Sequence, residues 1–202
     1  MPINQDSVSA AMKAKGYVVF ETKDYDMNVV GLRRMPGTVN NFDDLLCCFW
    51  KQSGTWQFRS WPVTTDPGTY YLNNPMNVNG TAIVRPGQYR RSHKLGKHGG
   101  ETGYEAMVQV GTIGVWRDSN KNSQLDYGAN PADAQWAGIN IHRAGTDSTK
   151  VDRWSAGCQV FKRSSDFAEF MSLMHKQIEA GIGDTISYSL LEWPALDFPS
   201  PA

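Results

Sequence analysis

Apolar residues occur along most of the chain in short runs that are rich in β-branched and aromatic side chains. Turn sequences such as Asp66-Pro67-Gly68 and Asn79-Gly80 interrupt these runs. Short apolar runs bounded by Gly, Pro, Asn and Asp predict β-strands. The predicted strands span residues 17–20, 28–32, 45–50, 56–63, 69–72, 81–84, 106–110, 113–116, 138–142 and 185–191.

Helical spacing of apolar residues occurs in two places. Near the amino terminus, Ser7 is the predicted cap of a short helix that ends at Gly16. A second helix begins at Asp166, which has Glu169 three residues later as in a capping box, and ends before Gly181. Its apolar residues recur at helical spacing: Phe167, Phe170, Met171, Met174 and Ile178.

These elements predict a mainly β fold with one or two helices, which is a β-rich α+β class. The length of 202 residues suits one globular domain. We therefore expect residues 1–202 to form a single domain, with the helix and strands of residues 1–50 integrated into it.

Charge and hydropathy exclude two classes of protein. The formal net charge is zero, so the chain lacks the basic surface of a nucleic-acid binder, and we interpret the basic stretch 90–98 as a solvated loop. No run reaches the roughly 20 apolar residues of a membrane helix. The amino terminus has no secretion signal, which predicts synthesis in the cytoplasm and delivery by another route.

The three cysteines do not suggest a disulfide scaffold. Cys47 and Cys48 are neighbours in an apolar run, and a bond between neighbours is heavily strained, so both are assigned to packing. Cys158 stands alone, as a buried or a reactive thiol would.

Cys158 follows a small turn, Ser155-Ala156-Gly157, and His142 ends an apolar run sixteen residues earlier. A thiol needs a nearby base to become a good nucleophile, and an imidazole can take the proton and later return it to a leaving amine. Backbone N–H groups of a tight turn can hold the oxyanion that develops on the substrate. The pair therefore predicts acyl-transfer chemistry, whereas a lone histidine and a lone cysteine are otherwise ordinary core residues.

Residues 138–162 resemble the active-site segment of the L,D-transpeptidase (YkuD-like) family, in which an Ile-His-Gly strand end is followed by Ser/Thr-His-Gly-Cys. Ile141-His142 and Ser155-x-Gly157-Cys158 match in order and spacing, and residues 65–72 resemble a second family segment. The resemblance implies a β-sandwich or barrel fold in which Cys158 is the nucleophile and His142 the base.

The resemblance also implies roles for the neighbouring residues. Ser155 is expected to orient the turn, and the backbone at Gly157 and Cys158 to hold the oxyanion. A backbone carbonyl near Arg143 is expected to hold the imidazole. The expected substrate-binding residues are Arg143, Ala156 and Gln159.

The chain differs from the family pattern at three positions. Ala156 replaces a histidine, Val160 stands where an Arg or Asn is usual, and the glycine expected after His142 is displaced to Gly145. These differences indicate a divergent member with a modified reaction or substrate.

The implied activity is that of a cysteine peptidase or transpeptidase that cleaves or exchanges an amide bond of peptidoglycan stem peptides, with no required cofactor. Hydrolysis is favoured because a resident wall cross-linker normally carries a secretion signal, whereas a protein delivered by lysis, a phage particle or an injection machine needs none. One alternative is cross-linking by L,D-transpeptidation. The other is a non-enzymatic virion, baseplate or wall-binding module, which has other particle proteins as partners.

A polar stretch resembles the first part of an EF-hand calcium loop, although the usual glycine and the final glutamate of that motif are replaced by Ser123 and Ala129. Calcium is therefore an expected structural ion, with a polar surface loop as the alternative. The expected ligands are Asp118, Asn120, Asn122 and Asp126. Trp136 and Trp154 flank the His-Cys segment and are predicted to pack in the core, with walls of a substrate groove as the alternative.

Overall fold

The computed structural model describes residues 2–198 and confirms the β-rich α+β class. The helices are α1 (Gln5–Ala14), α2 (Thr69–Asn73) and α3 (Ser164–Glu179), and a short 3-10 helix follows at Ala195–Asp197. The strands are β1 (Asn28–Met35), β2 (Asp44–Gln52), β3 (Thr55–Thr64), β4 (Thr81–Val84), β5 (Gly87–His98), β6 (Tyr104–Gln109), β7 (Ile113–Asp118), β8 (Ala132–Gln135), β9 (Ile141–Arg143), β10 (Gln159–Phe161) and β11 (Thr185–Pro194).

Eight strands close into a barrel in the order β1-β11-β5-β6-β9-β10-β3-β2. Two neighbouring pairs in it, β1–β11 and β9–β10, are parallel, and the other pairs are antiparallel. The strands β4, β7 and β8 form a separate antiparallel sheet.

The main core contains residues from the barrel, the small sheet and α3. The helical spacing of α3 buries Phe167 and Phe170, which lie 5.5 and 5.2 Å, ring centre to ring centre, from Phe161 of β10. The predicted helix face is therefore the one that packs. A second cluster forms where α1 buries Val8 and Met12 against β1, β2 and β11.

The strands predicted at residues 81–84, 45–50 and 185–191 are present, and the structure extends the last two. The strand predicted at 69–72 is wrong, because this run is helix α2, and only Leu72 in it is buried. The strand at 17–20 is also wrong. Its backbone bonds to the side chains of Gln88 and Asn28 instead of to another strand.

Strand β5 corrects the interpretation of residues 90–98 as a solvated loop. It pairs with β11 on one side and β6 on the other, and Ser92 and His93 are fully buried. The sequence did not predict this strand because most of its side chains are polar.

At the amino terminus, the helix cap is Asn4 and not Ser7, because Ser7 is the reciprocal partner in the capping box.

Within residues 2–198, no helix combines the length and the apolar character that crossing a lipid bilayer requires.

Candidate active site

His142 and Cys158 lie on neighbouring segments because β9 and β10 are parallel neighbours, with Val160 paired to His142. Paired residues of adjacent strands direct their side chains to the same face of a sheet. Cys158 precedes Val160 by two residues, so it lies on the face of His142, displaced by about 6–7 Å along the strand direction. Cys158 and Val160 pack with Ala144 in a small cluster that is separate from the main core.

A backbone carbonyl holds the imidazole of His142, as the sequence resemblance implied. Nδ1 lies 3.0 Å from the carbonyl oxygen of Arg143, and since a carbonyl only accepts, Nδ1 carries the proton. The hydroxyl of Tyr104 donates to the same oxygen at 3.0 Å and lies 3.2 Å from Nδ1. Nε2 is left unprotonated, which is the form a general base needs.

Burial keeps this imidazole neutral. Desolvation, together with the neighbouring His98, lowers the pKa of His142 to about 3. The two rings are stacked, with centroids 3.9 Å apart and planes inclined by 11°. An imidazolium at His142 would therefore form in contact with a second imidazole, whose own pKa burial also lowers.

Asn140 links His98 to Cys158. Its Nδ2 donates to Nδ1 of His98 at 3.1 Å, and its Oδ1 accepts the backbone N–H of Gln109 at 2.9 Å. Its backbone N–H points to the sulfur of Cys158 at 3.4 Å. Asn140 thus orients His98 and contributes a weak donor beside the sulfur.

The thiol of Cys158 is neutral and directed away from the imidazole. Its Sγ donates to the carbonyl of Gly138 at 3.4 Å, and residues 2–198 include no hydrogen bond between this sulfur and His142. Burial raises the pKa of Cys158 to about 11, and the N–H of Asn140 acts in the opposite direction. The residue as a whole keeps 9% of its surface exposed, so Cys158 is buried at the edge of its cluster.

Ser155 shapes the turn that carries the cysteine. Its buried Oγ donates to the carbonyl of Cys158 at 2.9 Å and accepts the N–H of Gly157 at 3.1 Å. Gly157 has a φ of +122°, and a Cβ there would overlap the carbonyl oxygen of Ala82 in β4. The turn is therefore held both by its own serine and by the small sheet.

This geometry corrects the expected oxyanion donors. The N–H of Gly157 is occupied by Ser155, whereas the N–H of Cys158 has no acceptor within the part of the chain that the structure describes. The Cys158 N–H is thus the donor that remains for an oxyanion.

Gln159, one of the three expected substrate-binding residues, has another role. Gln159 is fully buried, donates to the Gly157 carbonyl at 3.3 Å and accepts from the hydroxyl of Tyr188 at 2.5 Å, so it supports the turn from behind. The guanidinium of Arg143 lies over the ring of Tyr104, 4.4 Å from its centre. Ala156 does line a cavity, as expected for a residue that contacts substrate.

That cavity, beside the cysteine turn, has a volume of about 220 Å³. Arg117 of β7 lines it and is buried, and Nη1 donates to the Gly80 carbonyl at 3.3 Å. Its guanidinium has no acidic partner among residues 2–198, and burial lowers its pKa. A buried cation with one neutral partner, facing a cavity, is suited to binding a carboxylate.

Trp136 and Trp154 correct the prediction that both pack in the core. Trp136 is 68% exposed at the rim of the Arg117 cavity. Trp154 is 45% exposed and lines a larger, open cleft of about 660 Å³ together with Tyr70 of α2. Both exposed tryptophans therefore line openings on the surface, and the cavity of Trp136 also includes Ala156 of the cysteine turn.

The expected calcium ligands lie on one loop that follows β7. The described residues include no cluster of three or more His, Cys, Asp or Glu side chains that is placed to hold a metal. The loop offers two carboxylates, Asp118 and Asp126, and the remaining side-chain oxygens come from Asn120 and Asn122.

Sequence reasoning left Tyr104, Asn140 and Arg117 out of the site and assigned His98 to a basic loop. Asn140 lies two residues before His142. Because side chains alternate between the two faces of a strand, this spacing predicts that Asn140 and His142 share a face. No local signal marks the others, because the β5–β6 hairpin and the small sheet bring them in from distant parts of the chain.

Comparisons of the chain with models of known protein families, with curated protein sequences and with solved structures find no match.

Proposed function

We propose that the chain is a thiol acyl-transfer enzyme of the L,D-transpeptidase type that cleaves an amide bond in peptidoglycan stem peptides. The observation that carries this proposal is the neutral His142, which is fixed through Nδ1 and lies on the same face as Cys158. In such an enzyme the histidine acts as base and the cysteine as nucleophile. The matching order of Ile-His and Ser-x-Gly-Cys in the sequence gives independent support.

The first step would form a bond between Sγ of Cys158 and the substrate carbonyl carbon. The thiol turns from the Gly138 carbonyl toward Nε2 of His142, which takes the proton as the bond forms. Because the pKa of the thiol is high and that of the imidazole low, complete transfer before attack is unfavourable, so transfer accompanies attack. The N–H of Cys158 then donates to the oxyanion.

The second step would expel the amine. The imidazolium of His142 returns its proton to the departing nitrogen, the C–N bond breaks, and an acyl group remains on Cys158. Water then attacks this thioester with His142 again acting as base, which releases the acid and restores the thiol. An amine acceptor in place of water would give a cross-linked product instead.

The Arg117 cavity supports a peptide substrate that carries a free carboxylate. Stem peptides have several carboxylates, and the unpaired guanidinium lies in the cavity that Ala156 also lines. A carboxylate bound there would fix the register of the peptide beside the nucleophile. Trp136 at the rim would cover the apolar part of the bound peptide. We further propose that the protein reaches the wall by lysis, in a phage particle or through an injection machine.

The experiment is digestion of purified peptidoglycan, followed by mass spectrometry of the released peptides. The unmodified protein should release or exchange stem peptides, whereas Cys158→Ala and His142→Gln should not. His175→Gln serves as the matched control, because His175 is an exposed histidine paired with Glu105 on α3 and β6. Addition of a free D-amino acid as acceptor distinguishes exchange from hydrolysis. Equal products from the Cys158→Ala protein would refute the proposal.

A non-enzymatic wall-binding module is the second candidate. The observation that favours it is the protonated thiol of Cys158, which bonds to Gly138 and not to His142. Such a module would sediment with peptidoglycan equally in the unmodified and Cys158→Ala forms, and neither form would release peptides.

A further inference from the structure

The loop that leaves β7 presents oxygen atoms on alternate residues. Asp118 ends the strand, where it pairs with Thr81 of β4, and Asn120, Asn122 and Asp126 follow. Lys121 and Ser123, at the intervening positions, have φ values of +60° and +63°. This backbone folds the loop on itself within nine residues, and it places a serine where glycine would adopt the same conformation more readily.

An unpaired buried carboxylate oxygen in this loop points to a ligand. Asp118 is only 1% exposed, and its Oδ2 accepts the backbone N–H of Asp126 at 3.2 Å, so the carboxylate faces into the loop. Its Oδ1 is buried and has no hydrogen-bond partner in the described part of the chain. Burial raises the pKa of this carboxyl group. A buried carboxylate oxygen without a donor is unfavourable, and a cation would satisfy it.

The side-chain oxygens of Asn120 and Asn122 accept backbone N–H groups within the loop, from Asn122 at 3.1 Å and from Gln124 at 2.8 Å. The side chain of Asn120 contacts the carboxylate of Asp126, which brings these two groups together across the loop. The loop is also anchored from outside, because Ser123 exchanges two hydrogen bonds with Asn73 of α2, at 2.7 and 3.0 Å. The loop is therefore fixed in place by the protein.

We propose that residues 118–126 bind one Ca²⁺ ion. The ligands are the carboxylates of Asp118 and Asp126, the side-chain oxygens of Asn120 and Asn122, and the backbone carbonyl of Gln124, with water completing the shell. All are hard oxygen donors, and they number more than Mg²⁺ usually takes from a protein, which selects Ca²⁺. Two carboxylates balance the charge of the ion. Ala129 replaces the final bidentate glutamate, which places the dissociation constant at about 10⁻⁴ M.

The proposal is independent of the enzymatic one, and its test measures binding and stability only. Protein freed of metal with EDTA is titrated with CaCl₂ by calorimetry, and thermal unfolding is recorded without metal, with millimolar Ca²⁺ and with millimolar Mg²⁺. Ca²⁺ should bind at about one ion per chain and raise the midpoint by several degrees, with a smaller effect of Mg²⁺. Tb³⁺ offers a second signal, because Trp116 and Tyr127 flank the loop and can sensitise its emission.

Asp118→Asn distinguishes a ligand from a structural residue. Because it removes a buried unpaired charge, it should leave the midpoint unchanged or raise it without Ca²⁺, yet abolish the shift with Ca²⁺. Asp133→Asn is the matched control, since it removes the same charge from an exposed residue of β8 and should retain the shift. If Asp118→Asn does not fold, Asn122→Ala is used, and it should weaken binding at least tenfold. No calcium-dependent shift in the unmodified protein, or the same shift in Asp118→Asn, would overturn the proposal.

Discussion

Replacement of Ser155 by alanine tests whether the serine holds the cysteine turn in place. The side chain is fully buried, and its Oγ joins the Gly157 N–H to the Cys158 carbonyl across the turn. A methyl group in its place fills part of the space but makes neither hydrogen bond. Both backbone groups would then be without their partner in a buried setting.

The expected loss of stability follows from these two bonds. Each contributes about 0.5–1.5 kcal/mol, and a buried group left unpaired costs about 1–3 kcal/mol. We therefore expect Ser155→Ala to lower the free energy of unfolding by about 2–4 kcal/mol. With a urea dependence of about 2 kcal/mol per molar, in the middle of the usual range, the midpoint should fall by about 1–2 M.

Urea unfolding, followed by tryptophan fluorescence, measures this loss. Ser165→Ala is the matched control, because Ser165 is exposed and its hydroxyl makes only a 3.4 Å contact with Asp166. That variant should remain within about 0.5 kcal/mol of the unmodified protein. Equal midpoints for the two serine variants would show that the hydroxyl of Ser155 does not support the turn.

Three further predictions concern the same region. Burial raises the pKa of Cys158 to about 11. The rate of iodoacetamide labelling of Cys158 should therefore remain low at pH 8.5 and rise toward pH 11. A labelling rate that already reaches its plateau by pH 8.5 would contradict this. Gly157→Ala should lower the urea midpoint more than Gly181→Ala. Both glycines have positive φ, but only at Gly157 would the added Cβ overlap another atom, the carbonyl oxygen of Ala82. Equal losses of stability in the two variants would show that this overlap does not matter. Arg117→Gln should raise the KM for a stem peptide at least tenfold. The KM for an analogue with a carboxamide in place of the bound carboxylate should not change. An equal rise in KM for both substrates would exclude carboxylate binding by Arg117.

The sequence predicted the fold class because apolar strand residues alternate with turn signals throughout. It failed where polar side chains occupy a paired strand, as in β5, whose His93 is buried although the surrounding residues are basic. It also failed at α2, because a short aromatic run has no periodicity that separates helix from strand.

The candidate site was predictable only where its residues are close in sequence. The positions of His142, Ser155 and Cys158 follow from one strand end and one turn. The pairing of β5 with β6 brings His98 and Tyr104 beside His142 from about forty residues away, and spacing along the chain does not encode this contact. Trp136 is exposed at the rim of a cavity whose lining residues come from distant parts of the chain, Met76 to Ala156.

The contact between Gly157 and the Ala82 carbonyl has a consequence for how the protein matures. Gly157 belongs to the segment that leads into the barrel, whereas Ala82 belongs to the separate three-stranded sheet. During synthesis, the ribosome releases residue 82 long before residue 157. All three strands of the small sheet therefore precede the cysteine turn in the order of synthesis, and the turn reaches its final geometry only when it packs against β4.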